Sequence, residues 1–468
     1  MHRNRSQSIS VLTDLTCTGL NRLAHHDPLL FDLMSQEYRR QQNTLSMVAS
    51  SSIADPSVLA CEAGVLGNVT TEGYPGQRYH GGCEFVDGIE SLAVERAKIA
   101  FGARYANVQP HSGSSANQII LFSVLKAGDM ILGLDLDSGG HLTHGAPASI
   151  SGQYFESLAY GLDADGLINY TQVRDLALRY RPKLIICGAS AYPRTINFAL
   201  FRQIADEIDA ILLADISHIA GLIAAGCHPS PIDHAHFTTT STYKQLFGPR
   251  GGLILSGRDH DQRLPGHTRT VSEITQRAVF PTMQGTPILS AIAAKAGALT
   301  RVTSPQFREM AQLIISNAQA IASGFTDLGY HVLTGGTDNH MVLIDVSQRG
   351  LTGVVAESAL EECGIIVNKN RIPNDRHSPL VTSGVRLGTN GLALRGMNSA
   401  AMGRCVELID TVLSSLEVQG KSAYQLDPNL VVKVRREVEW LCARYPIPYY
   451  PLVQHSALVV EMQDTCLN

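Results

Sequence analysis

Five short apolar runs, each bounded by small or polar residues, constrain most tightly what this chain can fold into. They are MILGLDL (130–136), KLIICGAS (183–190), AILLADIS (210–217), HFTTTST (236–242) and GLILSG (252–257). Runs of this length and composition read as strands, and amphipathic stretches such as YTQVRDLALRY and ALFRQIADEI lie between them at helical spacing. The alternation predicts an α/β layer with a mostly parallel sheet, and the near-continuous apolar strands predict that both of its faces are covered. From about residue 288 to 330 the pattern is helical. It then gives way to the shorter runs HVLTGG, HMVLIDVS, IIVNKN and GVRLGTN, followed by the helical stretches MGRCVELIDTVLSSL and LVVKVRREVEWLCARY. That change predicts a smaller C-terminal α+β domain. The expected division is an N-terminal arm (1–40), a large domain (41–300) and a small domain (301–468). Residues 1–27 and the tail after Tyr450 suggest no role.

Composition narrows the function classes. With 44% hydrophobic and 17% charged residues, the 468-residue chain can bury a large core under a lightly charged surface. A net charge of -5 offers no basic field for a phosphate backbone, which argues against nucleic acid as a partner. Nine cysteines without a C-x-x-C pair point to reduced thiols rather than to a disulfide framework or a structural metal site, so no metal is expected. No apolar stretch reads as a membrane span or an export signal, and a cytoplasmic location is expected.

The strongest chemical signal is TTTSTYKQLFGPRGG (238–252), in which a Thr/Ser-rich strand leads into Lys244 and a Gly-rich turn containing Arg250. A lysine at the carboxyl end of a sheet strand stands where open α/β sheets bind ligands, and with its charge suppressed it can form a Schiff base with an aldehyde cofactor. Asp215 ends ILLADIS with His218 three residues on, and a carboxylate there suits the protonated pyridine nitrogen of pyridoxal phosphate. Ser112, Gly113 and Ser114 precede a helical run, where backbone N–H groups and the helix dipole can face a phosphate. Each feature also has an ordinary reading: a surface lysine, a turn or cap aspartate, a simple helix N-cap.

Taken together with longer motifs, the three pieces gain a narrower meaning. TEGYPGQRYHGGCEFVD (71–87), GGHLTHGAPASISGQ (139–153), HIAGLIAAGCHPSP (218–231), GPRGG (248–252), NKNRIPND (368–375) and TSGVRLGT (382–389) resemble serine hydroxymethyltransferases, from about Asp27 to Tyr450. The resemblance implies the aminotransferase-like (fold type I) architecture, pyridoxal 5'-phosphate as cofactor, and tetrahydrofolate and a small amino acid as substrates. It also implies a homodimer or homotetramer with shared active sites.

Residue by residue, the resemblance makes Lys244 the cofactor-bearing lysine and Asp215 the partner of the pyridine nitrogen. His141 becomes the ring-stacking histidine, with His218 and Ser190 near the ring oxygen. Ser112, Gly113, Ser114, Tyr243, Gly285 and Thr286 complete the implied cofactor set. Arg386 matches the carboxylate-binding arginine, helped by Ser50, and Glu72 matches the glutamate that moves protons on the hydroxymethyl group and on folate. Leu136, Gly140, Leu142, Asn370 and Tyr79 stand at folate-contacting positions.

Departures from the family pattern concentrate near the reacting carbon. Thr70 and His80 replace tyrosines, of which the first reaches the cofactor phosphate from a neighbouring subunit and the second lies close to the substrate α-carbon. Tyr243 replaces a histidine, Ser217 an alanine, Ala49-Ser50-Ser51-Ser52 the usual A-S-E-N, and FPTMQGTP (280–287) a glycine-rich loop. Lost bulk at Thr70 and His80, with a protonatable imidazole at His80, suggests a pocket that accepts an α-substituent. The expected substrate pairs are glycine/serine or D-alanine/2-methylserine (α-methylserine). The alternatives are a folate-independent aldolase or transaldolase acting on β-hydroxy amino acids such as threonine, and a non-catalytic paralogue.

Overall fold

The computed structural model describes residues 2–452. Its central sheet has seven strands: β1 (Tyr105–Asn107), β2 (Met130–Leu134), β3 (Glu156–Tyr160), β4 (Leu184–Gly188), β5 (Ile211–Asp215), β6 (Phe237–Ser241) and β7 (Gly252–Ser256). Their spatial order is β1-β7-β6-β5-β4-β2-β3, with β7 antiparallel to both neighbours and β2 to β6 paired parallel. The five predicted strands are present, each one to three residues shorter than its apolar run. Sequence reading missed β1 and β3. The first is three residues long, and the second is an edge strand with exposed Glu156 and Ser157, so neither carries a continuous apolar run.

Side chains alternate across the strands and fill two cores. Leu132, Ile185, Leu212 and Leu253 face one helical layer, whereas Ile131, Ile186, Leu213 and Ile254 face the other. At roughly 1.5–3 kcal/mol for each fully buried aliphatic side chain, the two faces together hold the sheet, and a charge at any of these positions would break it. On the first face, helix α1 (Glu84–Phe101) packs against helix α2 (Leu289–Val302) through small residues, Ala93 and Ala97 on one and Ala296 on the other.

The smaller layer is an antiparallel sheet of β8 (His331–Val332), β9 (Met341–Asp345), β10 (Asn368–Asn370) and β11 (Gly384–Gly388), ordered β8-β9-β11-β10. Helices Ser399–Ser414 and Pro428–Arg444 pack in its core, as predicted helical stretches should. Helix Pro305–Asp327 bridges the layers: Phe307, Ala311 and Ile314 lie in the first core, and Ala318, Ile321 and Phe325 in the second. Leu45–Ser46 pairs in parallel with Ile365–Ile366, so the chain contributes to the smaller layer before it enters the large sheet. The N-terminal stretch without an assigned role is a helix, His2–His26. It ends where Asp27 accepts a hydrogen bond from the Leu30 N–H at 3.0 Å and Pro28 opens the next helix. Of the tail, residues 453–468 lie outside the described residues. Among the described residues no helix is long and apolar enough to cross a membrane.

Candidate functional site

The parallel strands deliver their following residues to one edge of the sheet, where ligands of open α/β sheets bind. β5 ends on Asp215 and leads to Ser217 and His218, β6 leads to Tyr243 and Lys244, and β4 leads to Ser190. A cavity of about 180 Å³ at this edge is lined by eight of the predicted residues: Ser112, Gly113, Ser114, His141, Ser190, Asp215, Tyr243 and Lys244. Ser112 caps helix α3 (Gly113–Val124), its hydroxyl accepting from the Ser115 N–H at 3.0 Å. A Cβ on Gly113 would lie 3.1 Å from Ser241 Cβ and 3.3 Å from Ser217 Oγ, so glycine keeps this corner open. The buried Ser241 hydroxyl, also on the cavity wall, has no partner among the described residues.

Lys244 is 6% exposed. Burial pushes its amine down to about 8 against the pull of Asp215, with Arg386 and Arg250 adding repulsion. Tyr243 lies beneath Arg250, whose guanidinium carbon is 4.3 Å from the ring centroid, and its carbonyl accepts a hydrogen bond from Ser52. Two of the departures thus touch each other. At the other end, Asp215 receives Asn117 Nδ2 at 2.7 Å and His144 Nε2 at 3.1 Å on one oxygen, and the Ser217 N–H at 3.0 Å and hydroxyl at 2.6 Å on the other. Burial alone would push this carboxyl up, but the bonds from His144 and Ser217 and the two histidines' field outweigh it and hold it far below the usual carboxylate range. Ser217, a third departure, also accepts the Ser241 N–H at 3.0 Å, which ties β5 to β6.

His144 and Asn117 escaped the sequence reading. His144 sits inside the quoted GGHLTHG, but the fact that its ring aims at Asp215, 71 residues away, is a tertiary fact. Because His144 Nδ1 lies 3.3 Å from the His141 N–H it accepts there, which leaves Nε2 to carry the proton toward Asp215. His141, His144 and Asp215 are the one grouping among the described residues with metal-ligand character, and this proton occupies the lone pair a metal would need. Burial, and after it His144, pushes His141 down to about 4.

Arg386, on β11, donates to Ser190 O at 2.5 Å and Asn368 Oδ1 at 3.2 Å, and among the described residues no carboxylate lies within 4.0 Å of it. Burial pushes this guanidinium down to about 10. A buried cation with spare donors and no counter-ion is a site for an anion, and a planar fork fits a carboxylate. His218 stacks on His340, a third residue missed in the sequence, at a centroid distance of 5.6 Å and 21°. His340 Nε2 lies 3.2 Å from Ala49 O, next to the half-buried Ser50, so the small layer is keyed to the carboxylate pocket.

The remaining predicted residues do not line the Lys244 cavity within one chain. Glu72 and His80 face each other at 3.6 Å, both about two-fifths exposed, and a Cβ on Gly285 would sit 3.2 Å from Glu72 Oε1. Tyr79 is 74% exposed and leans on Phe280 at 5.6 Å, Thr70 is exposed, and Thr286 is half-buried. A buried clasp fixes this loop: Arg78 binds Asp87 at 2.8 Å and Glu90 at 2.6 Å and caps the carbonyls of Thr71 and Gly73, both at 2.9 Å. Gly73 has φ +96, and a Cβ there would strike Gln77 O at 2.3 Å. Of the implied folate residues, Leu136 and Leu142 are exposed on the loop after β2. Gly140 is packed against Leu134 O, and Asn370 ends β10 on the facing layer. An ion pair between Arg371 and Asp137 at 2.7 Å spans the two sides.

Compared with known families, residues 23–409 match the model described as serine hydroxymethyltransferase.

Proposed function

The chain belongs to the serine hydroxymethyltransferase family, whose members carry out pyridoxal-phosphate-dependent hydroxymethyl transfer. From that premise we propose that it moves a hydroxymethyl unit between tetrahydrofolate and the α-carbon of a small amino acid, either glycine/serine or D-alanine/2-methylserine. The observation that carries this reading is the buried Arg386, without a counter-ion among the described residues, reaching from the smaller layer to Ser190 O beside the buried amine of Lys244. Such a pair suits a substrate that bears both a carboxylate and an amine.

The residues fit the cofactor. The unpartnered Ser241 hydroxyl, the corner kept open by Gly113 and the N-terminus of α3 make a phosphate cradle, while Asp215 is built to stay ionised opposite a protonated nitrogen. When bound, pyridoxal phosphate supplies a ring that takes up negative charge from the α-carbon. Every other task falls to side chains. Lys244 supplies the amine that anchors the cofactor, and Arg386 with Ser50 orients the carboxylate. Glu72 takes and returns the proton of the hydroxymethyl oxygen, and His80, 3.6 Å from it, is a second proton carrier. Glu72, His80 and Tyr79 lie on an exposed edge away from the cavity, which supports an assembly in which a second copy brings them to the site.

The departures favour a wider pocket at the α-carbon, since Thr70 and His80 are smaller than tyrosine. The test is a purified-enzyme assay with glycine, D-alanine and L-threonine, each with and without methylene-tetrahydrofolate, read by the mass of the amino-acid product. Folate-dependent gain of a hydroxymethyl group on D-alanine establishes the 2-methylserine pair, and serine from glycine alone establishes the ordinary pair. Folate-independent cleavage of threonine overturns both in favour of an aldolase.

A further inference from the structure

Lys295, on helix α2, is 2% exposed and has no role in the reading above. Its ammonium donates to three backbone carbonyls: Val108 O at 2.6 Å, Gly252 O at 3.0 Å and Pro110 O at 3.1 Å. Those carbonyls belong to the two segments that build one wall of the Lys244 cavity. Pro110 immediately precedes His111-Ser112-Gly113, and Gly252 follows Arg250-Gly251, which line the cavity with them. The segments are sewn together by the Gly252 N–H bonded to Pro110 O at 2.9 Å. Gly251 rests directly on the lysine: a Cβ there would lie 2.3 Å from Lys295 Cε and 2.8 Å from Nζ. The ammonium is therefore one glycine away from the cavity lining.

Among the described residues no carboxylate lies within 4.0 Å of Lys295. Glu90, the acid whose field reaches it, is already bonded to Arg78 and Gln109. Three carbonyl acceptors call for three N–H donors, which only the ammonium form has, and a buried ammonium without a counter-ion is costly. The cost is offset if an anion comes to rest on the other side of the glycine wall.

We propose that Lys295 is a positioning residue for the phosphate cradle, holding its two segments together from beneath and supplying a buried positive charge that selects a dianionic ligand over a neutral one. This role presupposes that the cavity receives a phosphate, as the proposed function requires. Burial pushes the lysine down to about 7, so it gains its charge most readily when an anion arrives.

The test uses the full-length cofactor-free protein. Inorganic sulfate, pyridoxal and pyridoxal phosphate are titrated calorimetrically into wild type and Lys295→Met, with pyridoxal phosphate also followed by visible absorbance. Expected in Lys295→Met is a loss of roughly tenfold or more in affinity for sulfate and pyridoxal phosphate, about one full charge-assisted interaction, with pyridoxal held within about twofold. Equal losses for pyridoxal and its phosphate would make Lys295 a structural tie only and overturn the proposal. If Lys295→Met does not fold, sulfate is titrated into the Lys244→Ala protein between pH 6 and 9. Of the groups facing Lys295, Glu90 is tied to Arg78 and Gln109, and His111 is pushed below its ordinary value by burial and then by Lys295 itself. A fall in affinity as pH rises through about 7 then supports a charge at Lys295, and a flat profile refutes it. Failure of wild type to bind pyridoxal phosphate while it still binds sulfate would count against the proposed function and leave the anion site standing.

Discussion

Replacing Arg386 by methionine should separate binding from folding, because the structure gives this residue opposite effects on the two. Burial pushes the guanidinium well down from its ordinary value, to about 10, so the charged form is disfavoured in the folded, substrate-free protein by about 3 kcal/mol. The sign follows from the direction. A base whose folded value is depressed destabilises the fold wherever it is charged, here at every pH below about 10, and the penalty fades as pH rises from there toward the ordinary value of a free guanidinium. Its hydrogen bonds to Ser190 O and Asn368 Oδ1 return roughly 1 kcal/mol each. Arg386→Met should therefore leave the substrate-free protein as stable as wild type or about 1 kcal/mol more so, where loss of one partner of a buried ion pair costs about 3–5 kcal/mol. Substrate recognition moves the other way. Losing a desolvated two-pronged carboxylate contact costs about 2–5 kcal/mol, or roughly thirtyfold to several thousandfold in kcat/KM, carried mainly by KM. Denaturant unfolding of the cofactor-free protein at pH 7 and steady-state kinetics read the two quantities. A variant that loses several kcal/mol of stability and keeps its KM would refute the assignment of Arg386 as an anion receptor.

Lys244→Ala should abolish turnover, and full rates in a pure preparation would sink the assignment. In the wild-type protein, the rate of reloading with pyridoxal phosphate should climb as pH rises through about 8 and then level, because the unprotonated amine is the nucleophile; a rate independent of pH between 7 and 9 contradicts this. Asp215 is held far below the usual carboxylate range, so it stays ionised from pH 4 to 9 and an acid limb of activity belongs to other groups. Asp215→Asn should lower kcat by about a hundredfold or more without shifting that limb, and a shifted limb would disprove it. Arg78→Met strands the buried Glu90 and should cost about 3–5 kcal/mol, seen as a lower denaturant midpoint; an unchanged midpoint means that the clasp is not what holds the Glu72 loop.

Local pattern in the chain encodes one part of this protein. Five strands are announced by apolar runs, because burial on both faces demands it, and the loops after those strands carry the motif residues, because ligands bind at strand ends. Lys244, Asp215 and Ser112–Ser114 could thus be named before any contact was known, and they do line one cavity. Tertiary structure alone decided what surrounds them. That Asp215 receives hydrogen bonds from His144 and Asn117, that His340 stacks on His218 from the other layer, and that Lys295 lies under the cradle are pairings across 71, 98, 122 and 187 positions. The departures read the same way: Ser52 and Tyr243 look like separate substitutions in the chain but share a hydrogen bond in space. The physical reason is range. Burial periodicity and turn chemistry act over a few residues and leave a trace in the order of amino acids. Desolvation and charge pairing depend on which distant groups the fold encloses together, and the chain carries no local mark of that.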